Sequence, residues 1–292
     1  MLTLRANAKI NWSLTVRAVR PDGYHELDML MQSISLCDTL CFRQSASLSL
    51  SVNGSPAFWD DKNLICRAAN LLASVAGHAA GASITLEKRI PAMAGLGGGS
   101  ADCAAALIAL NRLWALNLPH ERLLELGLAL GADVPFCLTG GLARVRGIGE
   151  RIQPLSAPPS PRIILVMPDG GLGTAAVFRR FDESPARLPD DAPAAQAALT
   201  AGDYGRLDAV AFNDLMPAAV SLSPAVQAAL DDMRALGSRF ARMSGSGSCV
   251  FGVFDQPEAA FSALKKRYRA VFCVGTESEG VAFLPNDGSA RV

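Results

Sequence analysis

The residues from Pro91 to Leu110, PAMAGLGGGSADCAAALIAL, combine a glycine-rich loop with the start of an apolar segment. Glycine lets the backbone turn sharply and present successive N–H groups, and a helix start with free N–H groups attracts anions. Ser100 is placed to cap the helix that follows. The sequence therefore predicts a phosphate site, with a structural tight turn as the alternative, at a loop whose glycines are Gly95, Gly97, Gly98 and Gly99.

Three other interpretations of this loop are weaker. A flexible linker would not run directly into an apolar helix with Pro91, Met93 and Leu96 interleaved. A Rossmann loop would need a third glycine where Ser100 stands, a wholly apolar preceding strand, and an acidic residue about 20 residues later. A P-loop needs a Gly-Lys pair, which the chain does not contain.

Two charged residues are candidates for proton and phosphate chemistry. Asp133 lies in Gly-Ala-Asp-Val-Pro-Phe after a predicted helix end, where it is either a cap or turn residue or a partly desolvated base. Lys9 lies between Asn7 and Asn11 on the polar face of a predicted strand. That face is either solvated or directed at a site, and the residue types alone leave both interpretations open.

The elements that must position these residues begin with a strand. Apolar and polar residues alternate from Leu2 to Val16, which predicts one apolar and one polar face. A Pro-Asp-Gly turn and further strands follow as far as Asn53-Gly54. Asp60 or Asp61 is expected to cap a helix that ends near Gly77. After the strand SITLEKRI and the glycine loop, a buried helix is expected from about Ala101 to Leu116.

The second half of the chain mixes helices and strands without a strict βαβ period, which favours an α+β class. A helix ending at Gly131 precedes a short loop and a hairpin. The proline-rich stretch from Ser156 to Arg162 predicts a domain boundary, with domains at 1–157 and 158–292. Beyond it we expect a strand, a loop or short helix from Glu183 to Gly205, a helix ending at Gly237, a glycine-serine loop entering a strand, a helix, a final strand, and a disordered tail from about residue 285.

Composition excludes several functional classes. The 292 residues carry zero formal net charge and only 6% aromatics, so nucleic acid is not an expected partner. No apolar run reaches the roughly 20 residues of a membrane span, and the start lacks the apolar core of a secretory signal. The seven cysteines include no C-x-x-C pair, which indicates reduced, buried thiols in a cytoplasmic protein.

Three separated segments resemble the GHMP family of small-molecule kinases, which includes galactokinase, homoserine kinase and mevalonate kinase. PAMAGLGGGSA resembles that family's phosphate loop, P-x-x-x-G-L-G-S-S-A, while AKINWSLTV resembles its first motif and MSGSGSCVFGVF its third. Their order and spacing match across nearly the whole chain. The resemblance implies an α+β, two-domain GHMP kinase fold, with a ribosomal protein S5 domain 2-like N-terminal domain, a ferredoxin-like C-terminal domain and the site between them.

Within the family, AKINWSL, RPDGYHELDMLMQS and LGADVPFCLTGGLARVRGIGE are very similar to members that use ATP to phosphorylate a hydroxyl of a CDP-linked alcohol. The similarity implies that Asp133 accepts the proton of the attacking hydroxyl and that Lys9 keeps this carboxylate ionised. Asn11 would hold the substrate. The implied ATP-binding residues are Pro91, Ala92, Met93, Ala94, Gly95, Leu96, Gly97, Gly98, Gly99, Ser100 and Ala101, with Asn63, Leu64 and Lys88 on the adenine side.

The Gly-Tyr-His triplet at residues 23–25 resembles the pocket for cytosine in this branch of the family. The resemblance implies that Tyr24 stacks on the base, that His25 hydrogen-bonds its edge, and that Phe178 and Thr174 lie on the opposite side. Structural interpretations stay open: Phe178 suits a core, Asn63 a helix cap and Lys88 a solvated strand end. In SGSGS, Gly245 and Gly247 would approach the substrate phosphates or only support the phosphate loop.

Where many family members have a serine pair, this chain has Gly98 and Gly99, and no acidic residue is an obvious metal ligand. Mg²⁺ is therefore expected to arrive with ATP, held mainly by phosphates and water, and no protein ligand is assigned. The alternatives are another GHMP kinase acting on a smaller alcohol and a non-catalytic nucleotide-binding regulator. We expect a monomer or weak homodimer, with no nucleic-acid or membrane partner.

Overall fold

The computed structural model describes residues 1–77, 81–157, 160–185 and 191–285. Within these ranges the strands are β1 Leu2–Val19, β2 His25–Ser45, β3 Leu48–Val52, β4 Ser55–Ala57, β5 Gly81–Glu87, β6 Leu142–Gly147, β7 Arg151–Leu155, β8 Arg162–Met167, β9 Phe240–Met243, β10 Val250–Phe254, β11 Ala270–Val274 and β12 Val281–Phe283. The helices are α1 Leu64–Ala76, α2 Gly98–Leu113, α3 His120–Leu130, α4 Val134–Thr139, α5 Thr174–Glu183, α6 Ala192–Thr200, α7 Tyr204–Val210, α8 Met216–Leu222, α9 Ala225–Ala235 and α10 Pro257–Arg267. The tail expected to be disordered from about residue 285 lies almost wholly outside the described residues.

Eight of the described strands form the first sheet, in the order β12-β1-β2-β5-β3-β4, with β6 also pairing with β2 and β7 with β6. Its pairs are antiparallel except for β3 with β5. The long strands β1 and β2 are joined at the Pro-Asp-Gly turn, where Gly23 has φ +83°. Side chains from this sheet pack against α1 and α2 in one core, and the many alanines of α2 let it lie close to the strands.

The other described strands, β8 to β11, form an antiparallel sheet in the order β11-β8-β10-β9. When these four strands are counted along the chain, their order across the sheet is fourth, first, third, second. Helix α9 precedes β9, helix α10 connects β10 to β11, and both pack against the sheet. A β-α-β-β-α-β unit with this order is ferredoxin-like, so the expected class of the second domain is confirmed.

The two sheets are packed together, and the chain returns from the second sheet to the first. Trp12 of β1 has its ring 5.4 Å from those of Phe240 and Phe251 in the second sheet. After β11 the chain returns, and Val281 of β12 pairs with Ala6 of β1. The strand at 270–274 is therefore not the last one, because three further residues complete the edge of the first sheet.

The strand expected from Leu2 to Val16 is confirmed, but its polar face is not solvated. Asn7, Lys9 and Asn11 are each less than 5% exposed. The reason is that three distant segments cover this face: Lys9 N donates to Leu96 O of the glycine loop at 2.9 Å, Asn7 Nδ2 donates to Glu279 O, and Asn11 N donates to Ser244 Oγ. A polar face that is covered in this way must find its hydrogen-bond partners inside the protein.

Several expected boundaries are corrected by the structure. Asn63, and neither Asp60 nor Asp61, caps α1, because Asn63 Oδ1 accepts from Ile65 N whereas Asp60 Oδ1 accepts from the preceding turn. Helix α2 begins three residues before the expected Ala101. The short loop expected after Gly131 contains the six-residue helix α4. The Glu183–Gly205 segment contains α6, a short helix as expected, and residues 186–190 lie outside the described ranges.

The described residues include no helix long and apolar enough to cross a membrane. All seven cysteines lie within the described ranges and none is in a disulfide. The expectation of buried thiols holds for four of them, Cys66, Cys103, Cys137 and Cys249, while Cys37 and Cys41 are partly buried and Cys273 is exposed.

Candidate active site

A cavity of about 550 Å³ opens between the two sheets, above the polar face of β1. The glycine loop and the first turn of α2 form one wall, and the starts of α4 and α5 form others. A loop at 244–248 closes the end that faces the second sheet. The cavity is lined by Lys9, Leu27, Leu64, Lys88, residues 91–100, Ala132, Asp133, Thr174, Phe178, Gly245 and Ser246.

The glycine loop meets the helix with its backbone N–H groups free. Helix α2 begins at Gly98, and its cap residue Gly97 has φ +68° and supplies no side-chain hydrogen bond. Ser100 therefore lies inside the first turn and is not the cap that the sequence predicted. Because no side chain occupies the first N–H groups of this 16-residue helix, they can bind an anion in the cavity.

The loop is held in place by the 244–249 segment. Ser244 Oγ donates to Gly95 O at 2.9 Å, and Cys249 N donates to Ala94 O at 3.1 Å. Gly95 has φ +72°, and a Cβ there would lie 2.1 Å from Ser244 O. This close approach of two backbones requires glycine, so the third motif region supports the phosphate loop directly.

Lys9 and Asp133 meet at the floor of the cavity. Lys9 Nζ lies 3.3 Å from Asp133 Oδ2 and donates to Asn11 Oδ1 at 2.8 Å. The lysine side chain is 5% exposed and the aspartate side chain 33% exposed. Asp133 begins α4 without making a side-chain cap bond, so the cap interpretation is wrong. Its carboxylate faces the cavity with a buried ammonium behind it.

The lysine stem also explains a glycine of the loop. A Cβ at Gly97 would lie 2.9 Å from Lys9 Cγ and 3.1 Å from Lys9 Cε. The alkyl chain of Lys9 therefore passes directly beneath the loop, and its ammonium emerges beside Asp133. The loop, the lysine and the aspartate are packed as one unit.

Lys88 lies on the other side of the loop and pairs with two buried carboxylates. Its Nζ contacts Asp38 Oδ2 and lies 2.8 Å from Asp102 Oδ2. Asp38 Oδ1 also accepts from the backbone N–H groups of Arg89 and Ile90, which lead into the loop. The solvated strand end that the sequence allowed for Lys88 is therefore wrong, because this side chain ties the loop to β2 and α2.

Burial and charge pairing oppose each other in this group. Burial raises the pKa of Asp102 to about 7, with the Lys88 ammonium offsetting part of the effect. Burial also lowers the pKa of Lys88, but the two carboxylates more than compensate and leave it above its ordinary value. Asp102 Oδ1 is buried without a hydrogen-bond partner among the described residues, which favours its protonated form.

The side of the cavity formed by α5 carries an aromatic pair, His25 and Phe178, and is called its aromatic end below. The rings of His25 and Phe178 have centroids 4.6 Å apart at an interplanar angle of 36°. His25 Nε2 lies 2.8 Å from Asp182 Oδ1, and Thr174 Oγ1 lies 2.9 Å from Ser246 Oγ. Tyr24 is 58% exposed at the rim.

The cavity gathers most, though not all, of the residues that the sequence singled out. Lys9, Leu64, Lys88, Asp133, Thr174, Phe178, Gly245 and loop residues 91–100 line it. Ala101 is buried in the core, Asn63 is occupied as a helix cap, and Asn11 is buried behind Lys9. Tyr24 and His25 flank the cavity without lining it.

Sequence reasoning missed five residues of this region. Leu27, Ala132 and Ser246 line the cavity, and Asp38 and Asp102 hold Lys88. Asp102 offered a signal, since an aspartate two residues after Ser100 faces inward from an otherwise apolar helix. Asp38 offered none, because it is 50 residues from Lys88 in sequence and pairing of β2 with β5 brings the two together.

Comparison with known proteins identifies the family. The model of the GHMP kinases N-terminal domain matches residues 63–141, and that of the GHMP kinases C-terminal domain matches residues 195–270. A 4-diphosphocytidyl-2-C-methyl-D-erythritol kinase from Pelotomaculum thermopropionicum is 44% identical over 271 residues, covering 92% of this chain and 94% of the relative.

Solved structures agree with this assignment. A crystal structure of 4-(cytidine 5'-diphospho)-2C-methyl-D-erythritol kinase superposes with a TM-score of 0.78 at 37% identity, covering 94% of this chain and 98% of that one. Homoserine kinase from Cytophaga hutchinsonii has the same fold, with a TM-score of 0.76 at 19% identity over 97% of each chain. This chain therefore belongs to the GHMP kinases, and within them to the 4-diphosphocytidyl-2-C-methyl-D-erythritol kinases.

Proposed function

We propose that this protein transfers the γ-phosphate of ATP to the 2-hydroxyl of 4-diphosphocytidyl-2-C-methyl-D-erythritol, a step of non-mevalonate isoprenoid precursor synthesis. The relatives named above carry this substrate in their names. The observation that carries the proposal is the Lys9–Asp133 pair, which faces the free N–H groups of α2 across one cavity. An acceptor hydroxyl placed between them would be next to a base and next to a phosphate site.

Asp133 is the base in this proposal. As the hydroxyl oxygen forms its bond to the γ-phosphorus, the O–H proton passes to the Asp133 carboxylate and the bond from phosphorus to the β,γ-bridging oxygen breaks, releasing ADP. Lys9 stabilises the ionised carboxylate and the developing negative charge, and Asn11 Oδ1 fixes its ammonium. Asn11 thereby acts on the substrate through Lys9.

The glycine loop and the first turn of α2 would bind the ATP phosphates through backbone N–H groups. Leu64 lines the cavity on the side where the adenine would lie, and Lys88 is close to the helix start, since a Cβ at Gly98 would be 3.0 Å from its Nζ. Gly245 and Ser246 line the opposite side, toward the acceptor.

Mg²⁺ fits this site as an ion that is bound to the nucleotide phosphates. Among the residues that line the cavity, Asp133 is the acidic one, and no group of three or more His, Cys, Asp or Glu side chains suited to a metal occurs in the described ranges. Asp102 is turned toward Lys88, which would repel a cation. Bound to the ATP phosphates, the ion would neutralise their charge, while the protein supplies the N–H groups around them.

The CDP part of the substrate would lie at the aromatic end of the cavity. Phe178 offers the base a ring to stack on, His25 offers it a polar edge, and exposed Tyr24 could close over it from the rim. Thr174 and Ser246 would meet the sugar or the diphosphate. We further propose a cytoplasmic monomer or weak homodimer that has no nucleic-acid or membrane partner.

A coupled assay for ADP release tests the proposal. It should be run with 4-diphosphocytidyl-2-C-methyl-D-erythritol, homoserine and mevalonate as separate acceptors, and we expect turnover with the first alone. Turnover with one of the smaller alcohols instead would assign the protein to another branch of the family. Nucleotide binding without ADP release from any acceptor would indicate a regulator.

A further inference from the structure

The aromatic end of the cavity contains a carboxylate that the proposed reaction does not use. His25 Nε2 lies 2.8 Å from Asp182 Oδ1, on the third turn of α5. The imidazole is 10% exposed and rests on Phe178, which lines the cavity, while the carboxylate is 46% exposed. The pair therefore lies with the histidine toward the cavity and the aspartate toward solvent.

An ionised carboxylate can only accept a hydrogen bond, so Nε2 of His25 must carry the proton that lies between them. In the neutral imidazole, the other nitrogen, Nδ1, is then an acceptor. Nδ1 makes no hydrogen bond to any residue within the described ranges, and it is not among their buried atoms without a partner. It is the ring nitrogen left for a ligand.

We propose that Asp182 is a positioning residue that fixes the Nε2–H tautomer of the neutral His25 imidazole, so that Nδ1 selects a base with an exocyclic amine, cytosine, over one with a carbonyl there, uracil. This inference rests on the proposed function, because it takes the cytidyl group to lie against Phe178. Cytosine presents its N4 amino group as a donor, whereas uracil presents O4 as an acceptor. Two acceptors that face each other leave both without a hydrogen bond, and the site therefore rejects uracil relative to cytosine.

Phe178 supplies the complementary half of this recognition. Stacking is tolerant of base identity because every base has a π-face. The ring on its own would therefore hold cytosine and uracil nearly equally. The choice between them falls to a polar group next to the ring, and His25, which packs on Phe178 and contacts Asp182, can supply it.

The test compares wild type, Asp182→Ala and Glu183→Ala with two acceptors, 4-diphosphocytidyl-2-C-methyl-D-erythritol and its uridine counterpart. Glu183 is the matched control, since it is the next carboxylate on α5 and contacts Arg180 instead of His25. We expect Asp182→Ala to raise KM for the cytidine substrate roughly tenfold with kcat within about twofold, and to lower the preference for cytidine over uridine by a similar factor. Glu183→Ala should match wild type in both.

A second measurement reports the tautomer itself. The chain has three histidines, so ¹⁵N spectra of the imidazoles can be assigned by comparison with a His25→Gln variant. Wild type should show His25 with its proton on Nε2, Asp182→Ala should show a mixture of tautomers, and Asp182→Asn should retain much of the Nε2–H form because the amide oxygen can still accept.

Failure of the inference can be told apart from failure of the proposed function. Wild type that does not turn over the cytidine substrate would remove the proposed function. If wild type turns over the cytidine substrate, but Asp182→Ala leaves KM, base preference and the His25 tautomer unchanged, the proposed role of Asp182 is wrong. A folded Asp182→Ala variant that loses kcat while keeping its base preference would overturn it as well.

Discussion

The Lys9 ammonium lies 3.3 Å from the Asp133 carboxylate, although the two residues are 124 positions apart in the chain and belong to different elements. The lysine is buried and the aspartate reaches the cavity, so the positive charge lies behind the negative one as seen from the cavity. An acceptor hydroxyl would meet the carboxylate first. This arrangement suits proton removal followed by stabilisation of the resulting charge.

Replacing Asp133 with asparagine should abolish most turnover while leaving nucleotide binding intact. The amide keeps the size of the side chain but cannot take a proton, so kcat should fall roughly 10²–10⁴-fold. ADP release with saturating acceptor measures the loss of turnover. Calorimetry measures whether ATP affinity is retained. Asp231→Asn, at an exposed position on α9, is the control. Wild-type kcat in the Asp133 variant would rule out its role as the base.

Lys9 and Asp133 should act as one unit. Lys9→Met removes the ammonium while retaining most of the alkyl volume beneath Gly97, and it should lower kcat strongly. Because either change disables the same step, the double variant should be no slower than the slower single variant by more than about threefold. Rate losses that simply multiply would mean that the two residues serve different steps.

Two glycines of the loop should respond oppositely to alanine. A Cβ at Gly95 would meet Ser244 O at 2.1 Å and would also have to adopt φ +72°, whereas a Cβ at Gly99 would meet only Leu64 Cδ1, at 3.8 Å. We expect Gly95→Ala to lower the free energy of unfolding by more than about 1 kcal/mol. Gly99→Ala, in the first helical turn, should leave it unchanged or raise it by about 0.5–1 kcal/mol. Urea unfolding checks both, and equal effects would contradict the packing described.

The Lys88 group should make stability depend on pH. The pKa of Asp102 is about 7 in the folded protein, against an ordinary value of 3.8, so the folded state binds this proton more tightly than the unfolded state. The stabilisation from this proton is complete below about pH 4 and is lost as the pH rises through 7. The free energy of unfolding of wild type, relative to Asp102→Asn, should therefore decrease between pH 5 and pH 8.

Urea unfolding at intervals across that range measures the difference, with Asp61→Asn at an exposed site as the control. A wild-type minus Asp102→Asn difference that stays constant with pH, or that increases, would mean that Asp102 remains ionised beside Lys88.

Phe178→Ala should weaken binding of the acceptor without affecting ATP. Stacking of a base on an aromatic ring contributes about 1–3 kcal/mol, so KM for the cytidine substrate should rise about 5- to 150-fold. KM for ATP should stay within about twofold, because Phe178 belongs to α5, whereas Leu64 and the first turn of α2 belong to another wall of the cavity. Phe178→Tyr, which preserves the ring, should behave like wild type. A rise in KM for ATP of similar size would place the ring at the nucleotide.

Local patterns of the sequence predict much of this fold. The alternation in β1, the Gly77 and Gly131 helix ends and the glycine loop before α2 are all expected from residue types within a few positions of one another. The resemblance of three segments to one family then provides the domain architecture. Each of these signals lies within one continuous stretch of the chain.

The missed features depend on contacts between distant segments. Ser100 and Asn63 show the limit at helix starts. Ser, Asp and Asn are all good capping residues, so residue types alone do not choose between nearby positions, and the structure uses Asn63 for α1 and Gly97 for α2. The burial of Asn7, Lys9 and Asn11 depends on distant segments that cover them, which are residues 279–280, the glycine loop and Ser244 respectively. The pairing of Asp38 with Lys88 depends on sheet register.

The return of β12 to the first sheet has a consequence for how the chain is assembled. Residues 281–283 complete the edge of a sheet whose other strands all precede residue 156. During synthesis, backbone N–H and C=O groups of β1 at Leu4–Ala6 have no β12 partner until the second sheet has been made. A fragment that stops after β7 would retain that exposed border and would be prone to associate with other copies. The last strand that the structure describes therefore ties the second half of the chain to the sheet of the first half.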